Sequence, residues 1–152
     1  MGGFPRGSEW RRWDLHVHTK GTNKNDQFKS EDFETFCEVL FRKAIDNGIA
    51  AIGITDYFSI DNYKKVKDYV SKIDDETNFT EDEKRQIKNI LILPNVELRM
   101  LPVTDSGRLV NIHFIFNPEE DLIDYLDNNF FSKLKCGNYL MNRRGIIEHG
   151  ES

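Results

Sequence analysis

The chain of 152 residues contains no apolar run near the ~18 residues that a membrane-spanning helix needs, so a transmembrane segment is not expected. Cysteine is scarce. Cys37 and Cys136 are too few for a disulfide scaffold. The first fifteen residues carry Arg6, Arg11, Arg12 and Asp14 but no apolar block, which argues against an ordinary secretory signal. A reducing cytoplasm is therefore the expected compartment. Excess positive charge is missing too: 21 Lys and Arg against 26 Asp and Glu leave a net charge of −5. Proteins that grip nucleic acid through bulk charge are usually basic, so any such contact would be local or supplied by another domain. No zinc-finger spacing, glycine-rich phosphate loop, internal repeat or low-complexity tract is present.

Large apolar side chains are plentiful, with 11 Phe, 5 Tyr and 2 Trp. They suffice for the core of one domain and argue against disorder. Four short apolar runs stand out. Trp13, Leu15 and Val17 alternate with Asp14, His16 and His18, the period-two pattern of a strand. Ile49 to Asp56 is almost continuously apolar, as in a strand buried on both faces. Ile90 to Glu97 and Leu109 to Phe116 complete the set.

Amphipathic stretches lie between them. Phe33, Phe36, Cys37, Leu40, Phe41, Ala44 and Ile45 form one face of a helix from about Ser30 to Asp46, closed by Asn47-Gly48. Cys37 lies on that face and reads as a core thiol. Tyr63, Val66, Val70 and Ile73 mark a second helix, capped by Ser59. Thr80 to Glu83 is a capping box opening a third. Asn117-Pro118 starts a fourth, with Pro118 at the first helical position and Leu122, Leu126, Phe130 and Leu134 on its apolar face. Alternating strands and helices predict an α/β fold with a parallel sheet or barrel. Chemistry in such folds sits at the C-terminal ends of the strands.

Polar residues occupy those ends. His16 and His18 share one face of the first strand, and paired imidazoles are a common start for a Zn, Mn or Fe site. Glu97 ends a buried strand, where a carboxylate is costly unless paired or metal-bound. Arg99 is its ordinary alternative partner. His113 interrupts an apolar strand. Asp56 ends the second strand, as a turn residue or as an acceptor orienting a ligand imidazole. Each has a bland explanation alone. Three of four histidines, a Glu and an Asp on one rim favour a metal centre. The fourth, His149, has no strand-end context and reads as an exposed residue. Arg11 and Arg12, between Trp10 and Trp13, are candidates for phosphate or base contacts or for a solvated entry strand. Arg143 and Arg144 carry the same two readings. Asp26 and Lys24 lie in a polar loop that either contacts substrate or is simply solvated.

These residues resemble the PHP superfamily, named for polymerase and histidinol phosphatase. Asp-Leu-His-Val-His-Thr (14–19), Ile-Thr-Asp-Tyr (54–57), Asn-Val-Glu-Leu (95–98) and Asn-Ile-His-Phe (111–114) look like its successive motifs. A narrower likeness, over residues 4–19, 54–63 and 93–99, is to the amino terminus of TrlF-like proteins, in which a PHP domain precedes an SMC-like ATPase.

The resemblance implies a partial PHP-type distorted barrel of seven β/α units, with about four present. Residues 1–152 would then be the N-terminal part of a PHP domain from a longer chain. It implies metal-dependent hydrolysis of phosphoesters, for TrlF-like proteins phosphodiesters of nucleic acid, in DNA repair or phage defence. By resemblance His16 and His18 bind a first divalent metal (Mn, Zn or Fe), Glu97 bridges to a second, and His113 binds the second. Asp56 is then a supporting group. Tyr57 stands where the family usually has a third-metal histidine, so two metals are expected. The implied partners are nucleic acid and an SMC-like ATPase domain in cis or in trans, with no membrane. Homo-oligomerisation stays open. The alternative is a catalytically degenerate module that binds or regulates a partner ATPase.

Overall fold

The computed structural model describes residues 10–22, 26, 28–29, 32–100, 105–136, 138–141 and 144. Four strands form a curled half-barrel sheet in the order β1-β2-β3-β4: Arg12–His18, Ile49–Tyr57, Leu91–Met100 and Val110–Ile115. The helices between them are α1 (Phe33–Asp46), α2 (Asp61–Ser71) and α3 (Glu81–Lys88). The fold is mixed α/β, as the alternation of patterns predicts.

The first helix begins at Phe33, where its apolar stripe begins, and later than the expected start near Ser30. Asp32 rather than Ser30 stands at its start, because the Asp32 carboxylate accepts the free amides of Glu34 and Thr35. The capping box on α3 forms as expected: Thr80 Oγ1 accepts from the Glu83 amide, and Glu83 accepts from the Thr80 amide.

Helices α1 to α3 cover one face of the sheet. There Ile52, Ile54, Ile92 and Val96 meet Phe36, Cys37, Phe41, Tyr63, Val66 and Ile87 in a continuous core. Burying each such aliphatic side chain contributes about 1.5–3 kcal/mol. Cys37 is fully buried in this core, and burial pushes its thiol up to about 12.

The sheet departs from the all-parallel expectation in one place. β1 with β2 and β2 with β3 pair parallel, but β4 pairs antiparallel with β3. A parallel return needs a crossover of about a dozen residues or more, and the link from Met100 to Val110 is shorter. His113 therefore reaches the site from mid-strand, directly opposite Glu97, and not from a C-terminal strand end.

The chain after β4 also differs. The fourth helix, α4, runs Glu120–Tyr125, so Pro118 precedes it by two residues instead of opening it. A π-helical turn at Leu126–Phe130 and the short α5 (Phe131–Lys133) follow. The wider turn shifts the apolar stripe, so that Ile123, Leu126 and Phe131 are buried while Phe130 and Leu134 are only partly so. The side chain of Leu122 lies outside the described residues. So do His149, Arg143 and Lys24. A two-stranded ribbon, β5 (Lys135–Cys136) and β6 (Tyr139–Leu140), closes the described chain.

Candidate metal centre

Strand alternation sends one set of side chains to the helices and the other to the concave face. Tyr57, Glu97 and His113 share one register row, and Thr55, Asn95 and Ile115 the next. β1 brings His18 alongside Thr55. The concave face thus gathers polar groups from all four strands.

Three of them converge on a point. His16 Nε2 and His18 Nε2 are 3.0 Å apart. Each lies 3.4 Å from Glu97 Oε2. Three atoms with these edges lie on a circle of about 1.9 Å radius, and a point about 0.8 Å off its plane is ~2.05 Å from each, the Zn–N and Zn–O distance. The edge of a tetrahedron with such bonds is ~3.3 Å, so the triangle has the size of one tetrahedral face. His16, His18 and Glu97 therefore form a group that can hold a metal ion.

The polar accounting supports this. Glu97 is 1% exposed. Its Oε1 accepts a hydrogen bond from Asn111 Nδ2 at 2.7 Å. Its Oε2 accepts none among the described residues. A buried carboxylate oxygen left without a donor costs about 1–3 kcal/mol, and a cation at the triangle would offset that. His18 Nδ1 is likewise buried, near the Thr55 backbone. Burial first, and then neighbouring His16, hold the His18 imidazole below its ordinary pKa. His18 is accordingly neutral at physiological pH, the state a metal ligand requires. The Arg99 alternative for Glu97 is not what the structure shows. Arg99 instead lies with its guanidinium 5.8 Å from the Tyr57 ring centroid.

His113 sits beside this group. Its ring centroid is 4.4 Å from that of His16, and its Nδ1 is 3.1 Å from Asn95 Nδ2. Tyr57 stacks on His18 with centroids 5.3 Å apart. Burial first, and then the Glu97 carboxylate, push its phenol above the ordinary value. Tyr57 is therefore a neutral hydroxyl at the site.

The other expected site residues are engaged elsewhere. Asp56 points to the helical side, where its oxygens accept from the Asn62 amide at 3.0 Å and from Asn62 Nδ2 at 2.7 Å. It ties down the start of α2, together with Ser59, whose Oγ accepts the Asp61 amide. Of the two roles open to Asp56, the structure gives it the turn role and not the orientation of an imidazole. Burial, the leading cause, raises its carboxyl pKa.

Asp26 closes its own loop. Its carboxylate accepts from the Gly21 and Phe28 amides and pairs with Lys20 at 3.2 Å. The Gly21 amide is the main reason its pKa is lowered. A substrate would have to break that clasp. Arg12 opens β1, four residues before His16 and six before His18, which places it roughly 13–20 Å from these two along the strand. There Arg12 Nη1 donates to the Asn47 carbonyl that closes α1, beside a cavity of about 250 Å³. Arg11 adjoins it at the same end. The substrate contacts expected of Arg11, Arg12 and Asp26 are thus not assembled around the triangle.

One residue of the site carried no expectation. Asn95, 1% exposed, lies beneath the histidines and touches β1, β2 and β4. Its place two residues before Glu97, on the same strand face, was the available signal.

No protein-family model matches the chain, and no curated protein matches it. No helix among the described residues is long and apolar enough to cross a membrane.

Proposed function

We propose that this chain carries the metal centre of a PHP-type phosphoesterase that hydrolyses phosphodiester bonds of nucleic acid. The observation that carries the reading is the His16–His18–Glu97 triangle, with its buried, donor-less carboxylate oxygen. Bound divalent ions of the Mn, Zn or Fe kind, two in this reading, would polarise a phosphoryl oxygen and lower the pKa of a water. The chain's own groups have defined work. His16 and His18 offer Nε2 lone pairs, and Glu97 offers Oε2 while Asn111 fixes its other oxygen. His113, next to His16, is the candidate second-ion ligand. Arg99 lies on the same concave face and is exposed, so it is available to a phosphate. This reading places the chain in the cytoplasm as the N-terminal part of a PHP–ATPase protein, in DNA repair or phage defence. Its partners are nucleic acid and the SMC-like ATPase, without a membrane.

The test is metal content per chain, with hydrolysis of single-stranded DNA in Mn²⁺ or Zn²⁺, for wild type and for His16→Ala, Glu97→Ala and His113→Ala. Wild type should retain metal and cleave, and each variant should lose cleavage. Equal turnover in all four proteins would sink the proposal.

Tyr57 favours a second reading. A phenol that stays protonated is a poor ligand, and it occupies the position of an imidazole in the family resembled. The alternative is a degenerate module that binds or regulates an ATPase. In that case Glu97→Ala would leave its biological activity intact.

A further inference from the structure

β1 does not run straight into the site. Its register with β2 is irregular between Asp14 and Val17. Asp14 pairs with Ile52 and Val17 with Ile54, so three residues of β1 advance against two of β2, the count of a β-bulge. The bulge holds Leu15 and His16. Bulges re-aim side chains, and this one aims His16 at Glu97 although His18 lies only two residues on.

Three features shape the bulge. The His16 amide donates to Asp14 Oδ1 at 3.4 Å. Gly53 leaves room beneath it. A Cβ at that position would stand 2.8 Å from the Leu15 carbonyl carbon and 2.9 Å from its Cα. The Leu15 carbonyl points inward and accepts from Asn95 Nδ2 at 2.7 Å. A carbonyl can only accept, so this contact identifies the Asn95 atom as nitrogen and fixes the amide's orientation. Asn95 Nδ2 also lies 3.0 Å from Thr55 Oγ1 and 3.1 Å from His113 Nδ1.

We infer that Asn95 is a positioning residue, which ties the β1 bulge to β3 and thereby aims His16 at the metal triangle. Gly53 acts with it by making the close approach of Leu15 sterically allowed. Asn95 touches no ion-binding atom of the triangle. It acts on His16 through the Leu15 carbonyl and on His113 directly. His16 needs such support, because its side chain is 53% exposed. This inference deepens the metal-centre reading and rests on it for its purpose, but the positioning itself is measurable without a metal.

Asn95→Leu keeps the volume and removes the donor. Zn²⁺ affinity should fall 10- to 100-fold, the usual effect of removing a group that orients a ligand. The visible spectrum of bound Co²⁺ should change, which a purely structural role would not produce. Zn²⁺ affinity and a Co²⁺ spectrum equal to wild type would overturn the inference. If Asn95→Leu does not fold, Thr55→Val is the second variant. It removes one Asn95 partner, and it should weaken Zn²⁺ several-fold. An unchanged affinity would again overturn the inference. If wild type binds no Zn²⁺ or Co²⁺, the metal-centre reading fails, and imidazole ¹⁵N spectra of the metal-free proteins decide this one. His16 and His113 resonances that shift in the variant support it, and resonances that stay in place overturn it.

Discussion

Glu97→Gln separates a metal ligand from a structural ion-pair acceptor by the sign of its effect. In the metal-free protein, Glu97 Oε2 is buried and without a hydrogen-bond donor, beside two imidazole nitrogens 3.4 Å away. The low pKa of His18 argues that this imidazole is not protonated at neutral pH. The glutamine amide is nearly isosteric, uncharged, and able to donate to an imidazole lone pair. Removing the unsatisfied acceptor should stabilise the metal-free chain by about 1–3 kcal/mol. For a chain of this size each kcal/mol moves Tm by about 2–4 °C, so the variant should melt roughly 2–12 °C higher than wild type without metal. Zn²⁺ should act in the opposite order. At a hundredfold excess over Kd, ligand linkage adds about 2.7 kcal/mol, or roughly 5–11 °C, to wild type. The variant, lacking an anionic ligand, should gain much less. The assay is calorimetric or circular-dichroism melting of both proteins at pH 7.5, with EDTA and with Zn²⁺. If Glu97 instead neutralises protonated histidines, the substitution strands buried positive charge at a cost of about 3–5 kcal/mol. A variant that melts lower than wild type in EDTA, and that keeps the full Zn²⁺ shift, would refute the reasoning.

Two further outcomes follow from named contacts. Because His18 titrates below 6.5 in the folded chain, the folded state binds fewer protons than the unfolded one between that value and 6.5. Metal-free stability should be insensitive to His18 above pH 6.5 and should fall as pH drops through this window; urea melts from pH 5 to 8 should show the loss in wild type and a shallower one in His18→Phe. Asp56→Ala should cost about 1–3 kcal/mol by freeing the start of α2, while Zn²⁺ affinity stays within about twofold of wild type; a 10- to 100-fold loss of affinity would restore Asp56 to the imidazoles.

Local chemistry was legible from the chain alone. Alternation in Trp13–His18 and the apolar run Ile49–Asp56 mark a strand of period two and a strand buried on both faces, and the structure has a strand at each. The capping box at Thr80 and the buried Cys37 follow from spacing over a few residues. So does the choice of His16, His18 and Glu97 as candidate ligands, because a carboxylate in a buried strand and two imidazoles on one strand face are costly or unusual without a purpose, although β3 runs on to Met100 and Glu97 does not end it.

What spacing could not supply was direction and contact between distant segments. The antiparallel entry of β4 depends on how a short link closes, and it decides that His113 faces Glu97 in mid-strand. Asp56, Asp26 and Arg12 look as available in the sequence as His16 does. Only the folded chain shows their polar atoms taken by Asn62, by Gly21 and Phe28, and by Asn47. The role of Asn95 is of the same kind, since its partners are 80, 40 and 18 residues away in the chain. Side-chain type and period determine which groups are costly to bury, and this is a local property. Which partner satisfies each group is a property of the packed sheet, because hydrogen bonds need atoms within about 3 Å, and only tertiary closure brings such segments that near.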